Sequence, residues 1–288
     1  MERLTTSRRL GAAELGGASD TLQREVDEFW RRGFVILRGM FAASEMTVLK
    51  EIIMRHAGMR AHAARALERS GGSTRPSFET VFVWNDTSRS DAFAKATRSH
   101  RVIDRLEAIF GDAVYVYHNK VALKYPGVVG FSHHQDYAYW YEMGNVYPDM
   151  ATAYIAIDRA TRANGCLNLV EGSHSLGRLD HVQRDGVSDS GVDPERLEQV
   201  LKRMPEVPIE LEPGDVVIFH CNVLHASDDN HSQESRIGLL GCYNTRHNDP
   251  YNCAHGHPGF QVQETLRDPI TMADLENLPD FDYQWQPP

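Results

Sequence analysis

An α+β fold with an antiparallel β core is predicted by the order of the hydrophobic patterns along the chain. Apolar residues at helical spacing dominate roughly the first third, and short runs rich in Val, Ile, Tyr and Phe dominate thereafter. Clusters of Gly, Pro, Asn and Asp separate the later runs, as connections between antiparallel strands do. No internal repeat or linker interrupts the 288 residues, so the chain reads as a single domain.

Residues 1 to about 20 are small, polar and glycine-rich and are expected to form a flexible N-terminus. Leu22, Val26, Phe29 and Trp30 then predict a helix from Thr21, ended by Gly33, with a buried strand at Phe34–Gly39. Ser44 is the expected N-cap of one long helix running through Val48, Ile52 and Ile53 towards Leu67, broken by Ser70-Gly71-Gly72-Ser73. Thr80–Trp84 reads as a strand and Asp91–Phe110 as a further helix. Residues 113–124 predict a long strand closed by Tyr125-Pro126-Gly127. Strands follow at Tyr154–Ile157, Cys166–Val170, Val207–Leu211, Val216–Phe219 and Ile237–Tyr243, with one helical interruption at Pro194–Met204. From about Asn248 to Pro288 the composition shifts to Pro, Asn, Asp and His and predicts an irregular tail.

Composition narrows the class of function. A net charge of −10 without a basic cluster argues against a nucleic-acid groove and against an anionic membrane surface. No apolar run approaches a membrane span, and the charged N-terminus is not followed by the apolar stretch of a secretory signal. The four cysteines lack CxxC spacing and read as free thiols in a reducing, cytoplasmic setting. A small-molecule ligand and a monomer or homodimer fit this balance.

The chemistry concentrates in Ser132–Tyr141. His134 and Asp136 lie two apart, and on an extended segment both side chains point the same way. A third donor must come from elsewhere, and His225 is the best placed candidate. Two His and one carboxylate on one face is the arrangement of non-haem Fe(II) oxygenases. The alternative is a loop histidine hydrogen-bonded to a nearby aspartate, which a chain with fourteen His can produce by chance. His133 must point away from any ion that His134 binds, and His220 reads as structural. Cys253-Ala254-His255-Gly256-His257 has zinc-like spacing, but three candidates in an irregular tail make a weak site.

Several phrases in order strengthen the metal reading: Lys124-Tyr125-Pro126-Gly127, His134-Gln135-Asp136, Ile155–Asp158 through Asn164-Gly165-Cys166-Leu167, Gly172-Ser173-His174, Pro213-Gly214-Asp215, His225-Ala226-Ser227, and Arg236 eleven residues after His225. Together they resemble the phytanoyl-CoA dioxygenase family of Fe(II)/2-oxoglutarate oxygenases over roughly Tyr115–Tyr243. The resemblance implies a double-stranded β-helix, a cupin-like jelly roll braced by the N-terminal helices. It places His134 and Asp136 just after one strand and His225 on the opposing sheet. It implies Fe(II) as the metal, with 2-oxoglutarate and O2 as co-substrates.

By the same resemblance, His134, Asp136 and His225 bind iron, while Arg236 and Ser227 contact 2-oxoglutarate. Arg236 suits the distal carboxylate because a guanidinium meets a carboxylate in a bidentate fork. Tyr154 falls where the family often carries Trp, and Lys120, on one face with His118, Ala122 and Lys124, is a further co-substrate candidate. The family often has an earlier Lys, and Phe78-Glu79-Thr80-Val81 carries none. A carboxylate at 136 rather than a small residue favours hydroxylation over halogenation, while desaturation and epoxidation use the same ligands and stay open. Tyr137, Tyr139 and Trp140, with Tyr141 beside them, are candidates for the substrate mouth, as is Arg178 in the Gly177–His181 segment. The expected activity is hydroxylation of a small metabolite, such as an amino acid, an aminophosphonate or a natural-product intermediate. The alternatives are a non-catalytic metal- or ligand-binding jelly roll and a cupin-type enzyme that does not use 2-oxoglutarate.

Overall fold

The computed structural model describes residues 20–69, 80–86, 88–183, 190–253, 257, 259–281 and 283. The expected flexible N-terminus, the break at Ser70–Ser73, residues 78–79 of the lysine-free stretch and residues 254–256 of the Cys/His tail lie outside them. In chain order the elements are α1 (Asp20–Arg32), β1 (Phe34–Leu37), α2 (Ala43–Arg55), α3 (Ala57–Arg69), β2 (Thr80–Trp84), α4 (Ala92–Thr97), α5 (His100–Phe110) and β3 (Val114–Lys124). They continue with α6 (Asp136–Glu142), β4 (Met150–Ala156), β5 (Leu167–Val170), β6 (His181–Gln183), β7 (Ser190–Val192) and α7 (Pro194–Leu201). The last are β8 (Glu206–Ile209), β9 (Val216–His220), β10 (His225–Ser227) and β11 (Arg236–Thr245).

Three expectations need correction. The helix expected from Ser44 is two helices. Its N-cap is Ala42, whose N–H donates to the Glu45 carboxylate at 2.8 Å. The break falls at His56, whose extended backbone (ψ 117°) ends α2 and whose Nδ1 accepts the Met59 N–H at 3.2 Å, starting α3. The helix expected over Asp91–Phe110 also divides. Asp91 caps α4 by accepting the Ala94 N–H, and Ser99 caps α5 by accepting the Arg101 N–H. The aromatic run after Asp136 is the helix α6, not extended chain.

All strand neighbours are antiparallel. The large sheet has the order β1-β9-β4-β11-β3-β2, and the small one β10-β5-β8. The N-terminal half therefore supplies more than helices: β1 and β2 are the two edges of the large sheet. A further pair, β6 and β7, stands apart.

Strand parity divides the apolar residues between two layers. On β9, Val216 and Ile218 face the helices while Val217 and Phe219 face the small sheet; on β4, Ala153 and Ile155 alternate in the same way with Tyr154 and Ala156. The helix-side layer joins Phe29, Leu49, Ile52, Val102 and Leu106 to the sheet. Each such fully buried large side chain contributes about 1.5–3 kcal/mol relative to exposure. The second layer, with Phe34, Leu169, Ile209 and Val223, fills one end of the space between the sheets. All four cysteines are free thiols, three of them buried. Among the described residues no helix is long and apolar enough to cross a membrane.

The tail has no α-helix or strand among its described residues, as its composition predicts, yet it is packed. Ile270 and Phe281 are buried, and a 3-10 turn at Met272–Glu276 is held by an ion pair between Lys95 and Asp274 at 2.7 Å.

Candidate active site

The other end of the space between the sheets is a cavity of about 250 Å³. The same parity that builds the core decides which side chains reach it. Lys120 and Ala122 enter from β3, Tyr154 from β4, and Arg236 and Leu240 from β11, while β10 contributes His225 and Ser227. His134 and Asp136 complete that wall.

His134, Asp136 and His225 bring one donor atom each to within 4.8 Å of one another. Among the described residues this is the one group of three His, Cys, Asp or Glu side chains close enough to share an ion. The two histidines do not come from opposing sheets. They are paired directly: each backbone N–H donates to the other's carbonyl, at 2.9 and 3.0 Å, which extends the small sheet by one bridge. Asp136 follows an extended Gln135 (φ −118°, ψ 132°), so it stays on the His134 side although it opens α6. Thr152 of β4, in the large sheet, donates its hydroxyl to Asp136 Oδ2 at 2.7 Å. The carboxylate is thus the ligand that ties the two sheets together.

The donor set fits a divalent transition metal. His134 Nδ1 lies 2.8 Å from the Ser132 carbonyl and His225 Nδ1 2.9 Å from that of Val223. A carbonyl requires a proton on Nδ1, which leaves Nε2 as the lone-pair donor of both rings. Burial pushes His134 down to about 3, with His225 beside it adding to the effect. Burial lowers His225 as well. For Asp136 burial favours the neutral acid, but Lys120 and the two imidazoles override it and hold the carboxyl down to about 2. Lys120 is pulled down by burial and raised more by Asp136, whose Oδ1 lies 3.5 Å from its Nζ. At neutral pH the site therefore presents two neutral imidazoles and one carboxylate, the protonation state that metal binding requires.

A buried cationic end lies at the β3–β11 ladder. Arg236, 1% exposed, donates from Nη1 to the Gly165 carbonyl at 2.7 Å. Its register partner Lys124 is fully buried and donates from Nζ to Ser227 Oγ at 2.8 Å and to the Asp228 carbonyl at 2.6 Å. Ser227 Oγ also accepts the Phe131 N–H at 3.1 Å, so its position is fixed from two sides. Gly165 (φ +74°) lets the chain pass here: a Cβ would fall 2.2 Å from the Asp228 carbonyl oxygen. Tyr154 lies across β11 where Gly238 has no side chain, and a Cβ at 238 would sit 2.3 Å from the ring.

Of the candidates for the mouth, Tyr139 and Trp140 line the cavity. Tyr137 does not: it is buried, with its hydroxyl donating to the Val146 carbonyl at 2.7 Å. Arg178 stacks over the Tyr141 ring at 4.6 Å, off the cavity wall. The helix is the reason, because it rotates Tyr137 and Tyr141 onto a common i, i+4 face away from the site. His133 turns outward to Glu206, as its neighbour's role requires. His220 accepts the Asn222 N–H at 3.0 Å and sits among Phe29, Trp30 and His174. Cys253 is exposed while His257 is buried against Tyr117, and neither belongs to a group of three potential metal ligands among the described residues.

Two residues were not singled out by spacing. Lys124 entered the sequence reading as the start of the Lys124-Tyr125-Pro126-Gly127 phrase and as a position on the Lys120 face, without a role in the site. Gln135, fully buried between the two ligands, donates to the carbonyls of Gly177 (2.9 Å) and Asn222 (2.7 Å) and accepts the Leu179 N–H (2.7 Å). It fastens the Gly177–His181 segment to the metal motif.

The profile of the phytanoyl-CoA dioxygenase family matches residues 29–238. Methylphosphonate hydroxylase of Gimesia maris is 30% identical over 145 residues, 50% of each chain, so this chain spans half the length of that relative. Ectoine dioxygenase of Halomonas elongata is 27% identical over 259 residues, 83% of this chain and 76% of the relative. The crystal structure of EctD from S. alaskensis with bound Fe superposes with a TM-score of 0.66 at 21% identity, covering 86% of this chain and 88% of that one.

Proposed function

The chain belongs to the phytanoyl-CoA dioxygenase family, and from that membership we propose that it is an Fe(II)- and 2-oxoglutarate-dependent dioxygenase that hydroxylates a small metabolite. The observation that carries this is the convergence of His134, Asp136 and His225 on one wall of a cavity that also holds Arg236. Similarity to a methylphosphonate hydroxylase and an ectoine dioxygenase favours small polar metabolites, amino acids and aminophosphonates among them, over a bulky thioester. We read the two facing sheets as a double-stranded β-helix and the chain as one domain. The buried free thiols suit a cytoplasmic enzyme.

His134 and His225 through Nε2, with Asp136, would hold the iron. Bound there with 2-oxoglutarate, the iron would couple O2 reduction to conversion of a substrate C–H to C–OH, with release of succinate and CO2. The remaining work belongs to this chain's residues. Arg236 receives the distal carboxylate in a bidentate fork, with its own orientation set by the Gly165 carbonyl. Ser227, fixed by Lys124 and Phe131, adds a hydroxyl beside it. Tyr154 supplies the flat apolar surface between. Lys120, already beside Asp136, is placed to neutralise the second carboxylate. Tyr139 and Trp140 form the aromatic side of the substrate volume and exclude water from it. Asp136 would supply a carboxylate ligand where a halogenase has a small residue, which favours hydroxylation over halogenation.

The test is anaerobic titration of Fe(II) and then 2-oxoglutarate into metal-free protein, followed by visible absorption. A weak metal-to-ligand charge-transfer band on adding 2-oxoglutarate is expected, with succinate formed after air and substrate are admitted. Iron binding without a band would overturn this reading in favour of a ligand-binding jelly roll. Metal-dependent turnover without 2-oxoglutarate would favour a cupin-type enzyme.

A further inference from the structure

β2 is an edge of the large sheet, and an exposed edge strand is normally covered. The C-terminal segment provides the cover. The Ile270 N–H donates to Glu45 Oε1 at 3.2 Å, and the Lys95–Asp274 ion pair pins the turn that follows. Phe281 then seats on the helix side of β2, 4.7 Å from Trp84 and 4.6 Å from His56 between ring centroids. Two residues later Tyr283 stands at the edge of β2, packed against the helix-side layer and also lining the cavity. Tyr283 stacks on His62 of α3 (4.4 Å, 23° from parallel) and meets the Phe82 ring at 5.9 Å. It lines the cavity together with Val81 and Val83, the two β2 residues whose parity is opposite to that of Phe82.

We propose that Tyr283 is a specificity-determining residue of the site. Held at the β2 edge by the C-terminal segment, its ring forms with Val81 and Val83 an apolar wall that limits how far a substrate can extend from the metal ligands. The proposal rests on the oxygenase reading above. The wall and the co-substrate pocket are built from different elements: β2 and the tail on one side, β3, β4, β10 and β11 on the other. Substrate length and 2-oxoglutarate binding are therefore separable. A tyrosine suits the task because it offers a large rigid surface with two torsions to fix, and the His62 stack fixes the ring. Apolar walls discriminate by size, at about 10- to 200-fold for each methylene accepted or refused.

The experiment uses the full chain as wild type, Tyr283→Phe and Tyr283→Ala, loaded anaerobically with Fe(II). Each is titrated with 2-oxoglutarate and then with amino acids and aminophosphonates of graded chain length, read as perturbation of the visible band. All three proteins should bind 2-oxoglutarate within about twofold of one another. Tyr283→Ala should bind the first compound beyond the wild-type length limit at least about tenfold more tightly than wild type does. Tyr283→Phe should keep the wild-type limit, since the ring and not the hydroxyl forms the wall. An identical length limit in wild type and Tyr283→Ala overturns the proposal. Absence of a band in wild type overturns the oxygenase reading instead. In that case, or if no compound perturbs the band, the wall is read with 1-anilinonaphthalene-8-sulfonate. At least threefold higher fluorescence in Tyr283→Ala than in wild type upholds it, and equal fluorescence refutes it.

Discussion

Replacing Asp136 by Asn in the metal-free protein isolates one charge. The amide keeps an oxygen for the Thr152 hydroxyl, while Lys120 loses its counter-ion. The side chains are 7% and 19% exposed and their charged atoms are 3.5 Å apart, so with an effective dielectric of 20 the direct attraction is about 5 kcal/mol. Desolvation offsets much of this in the intact pair, but stranding one partner of such a pair costs about 3–5 kcal/mol. The opening to solvent on the Lys120 side places Asp136→Asn at the low end, about 3 kcal/mol. Lys120→Met strands the carboxylate and should cost a similar amount. The double variant removes both charges and should recover at least about 1.5 kcal/mol of the summed loss. Urea unfolding of the four proteins in chelator measures this cycle. Fe(II) binding separates stability from ligation: Asp136→Asn should lose affinity, and adding Lys120→Met should not restore it. Additivity within about 0.5 kcal/mol would refute an ion pair between these residues.

Three further outcomes are expected. Arg236→Lys should weaken 2-oxoglutarate binding at least about tenfold, because an ammonium cannot reproduce the bidentate fork, with Fe(II) affinity unchanged in the same titration. Gly165→Ala should cost about 2–4 kcal/mol in a denaturant titration, from the left-handed backbone and the contact with the Asp228 carbonyl, and should weaken 2-oxoglutarate binding because the Gly165 carbonyl orients Arg236. His247 bridges Asp112 (3.0 Å) and Asp149 (2.8 Å); burial disfavours its cation, but the two carboxylates override this and raise its pKa. With the folded value above the unfolded one, the bridge contributes fully below about pH 6.5 and is lost as pH rises through the folded value. The thermal-stability gap between wild type and His247→Gln should therefore narrow from pH 6 upwards, and a gap that widened would contradict the bridge.

The convergence of His134, Asp136, His225 and Arg236 on one cavity was legible because residue type and spacing survive folding. His225 and Ser227 lie on β10 and Arg236 on β11, and strand parity sends all three inward. What escaped was set by contacts distant in sequence or by backbone turns that composition disguises. The aromatic run after Asp136 has high β propensity, yet it forms a helix packed on Tyr117 and Cys221, and this removed Tyr137 from the mouth. His56 breaks a helix through a side-chain hydrogen bond that no periodicity records. The direct pairing of His134 with His225 could not be read from their spacing, nor could a tail of Pro, Asn and Asp announce that Phe281 and Tyr283 close the edge of β2.

The Tyr154 ring occupies the volume left by Gly238 on the neighbouring strand, so the two positions share one space. A side chain at 238 would displace the ring, and a smaller residue at 154 would leave a slot in β11 open to the cavity. Pocket engineering at either site is a two-residue operation: volume removed at 154 can be returned only through 238. Homologues with a side chain at 238 should carry a small residue at 154.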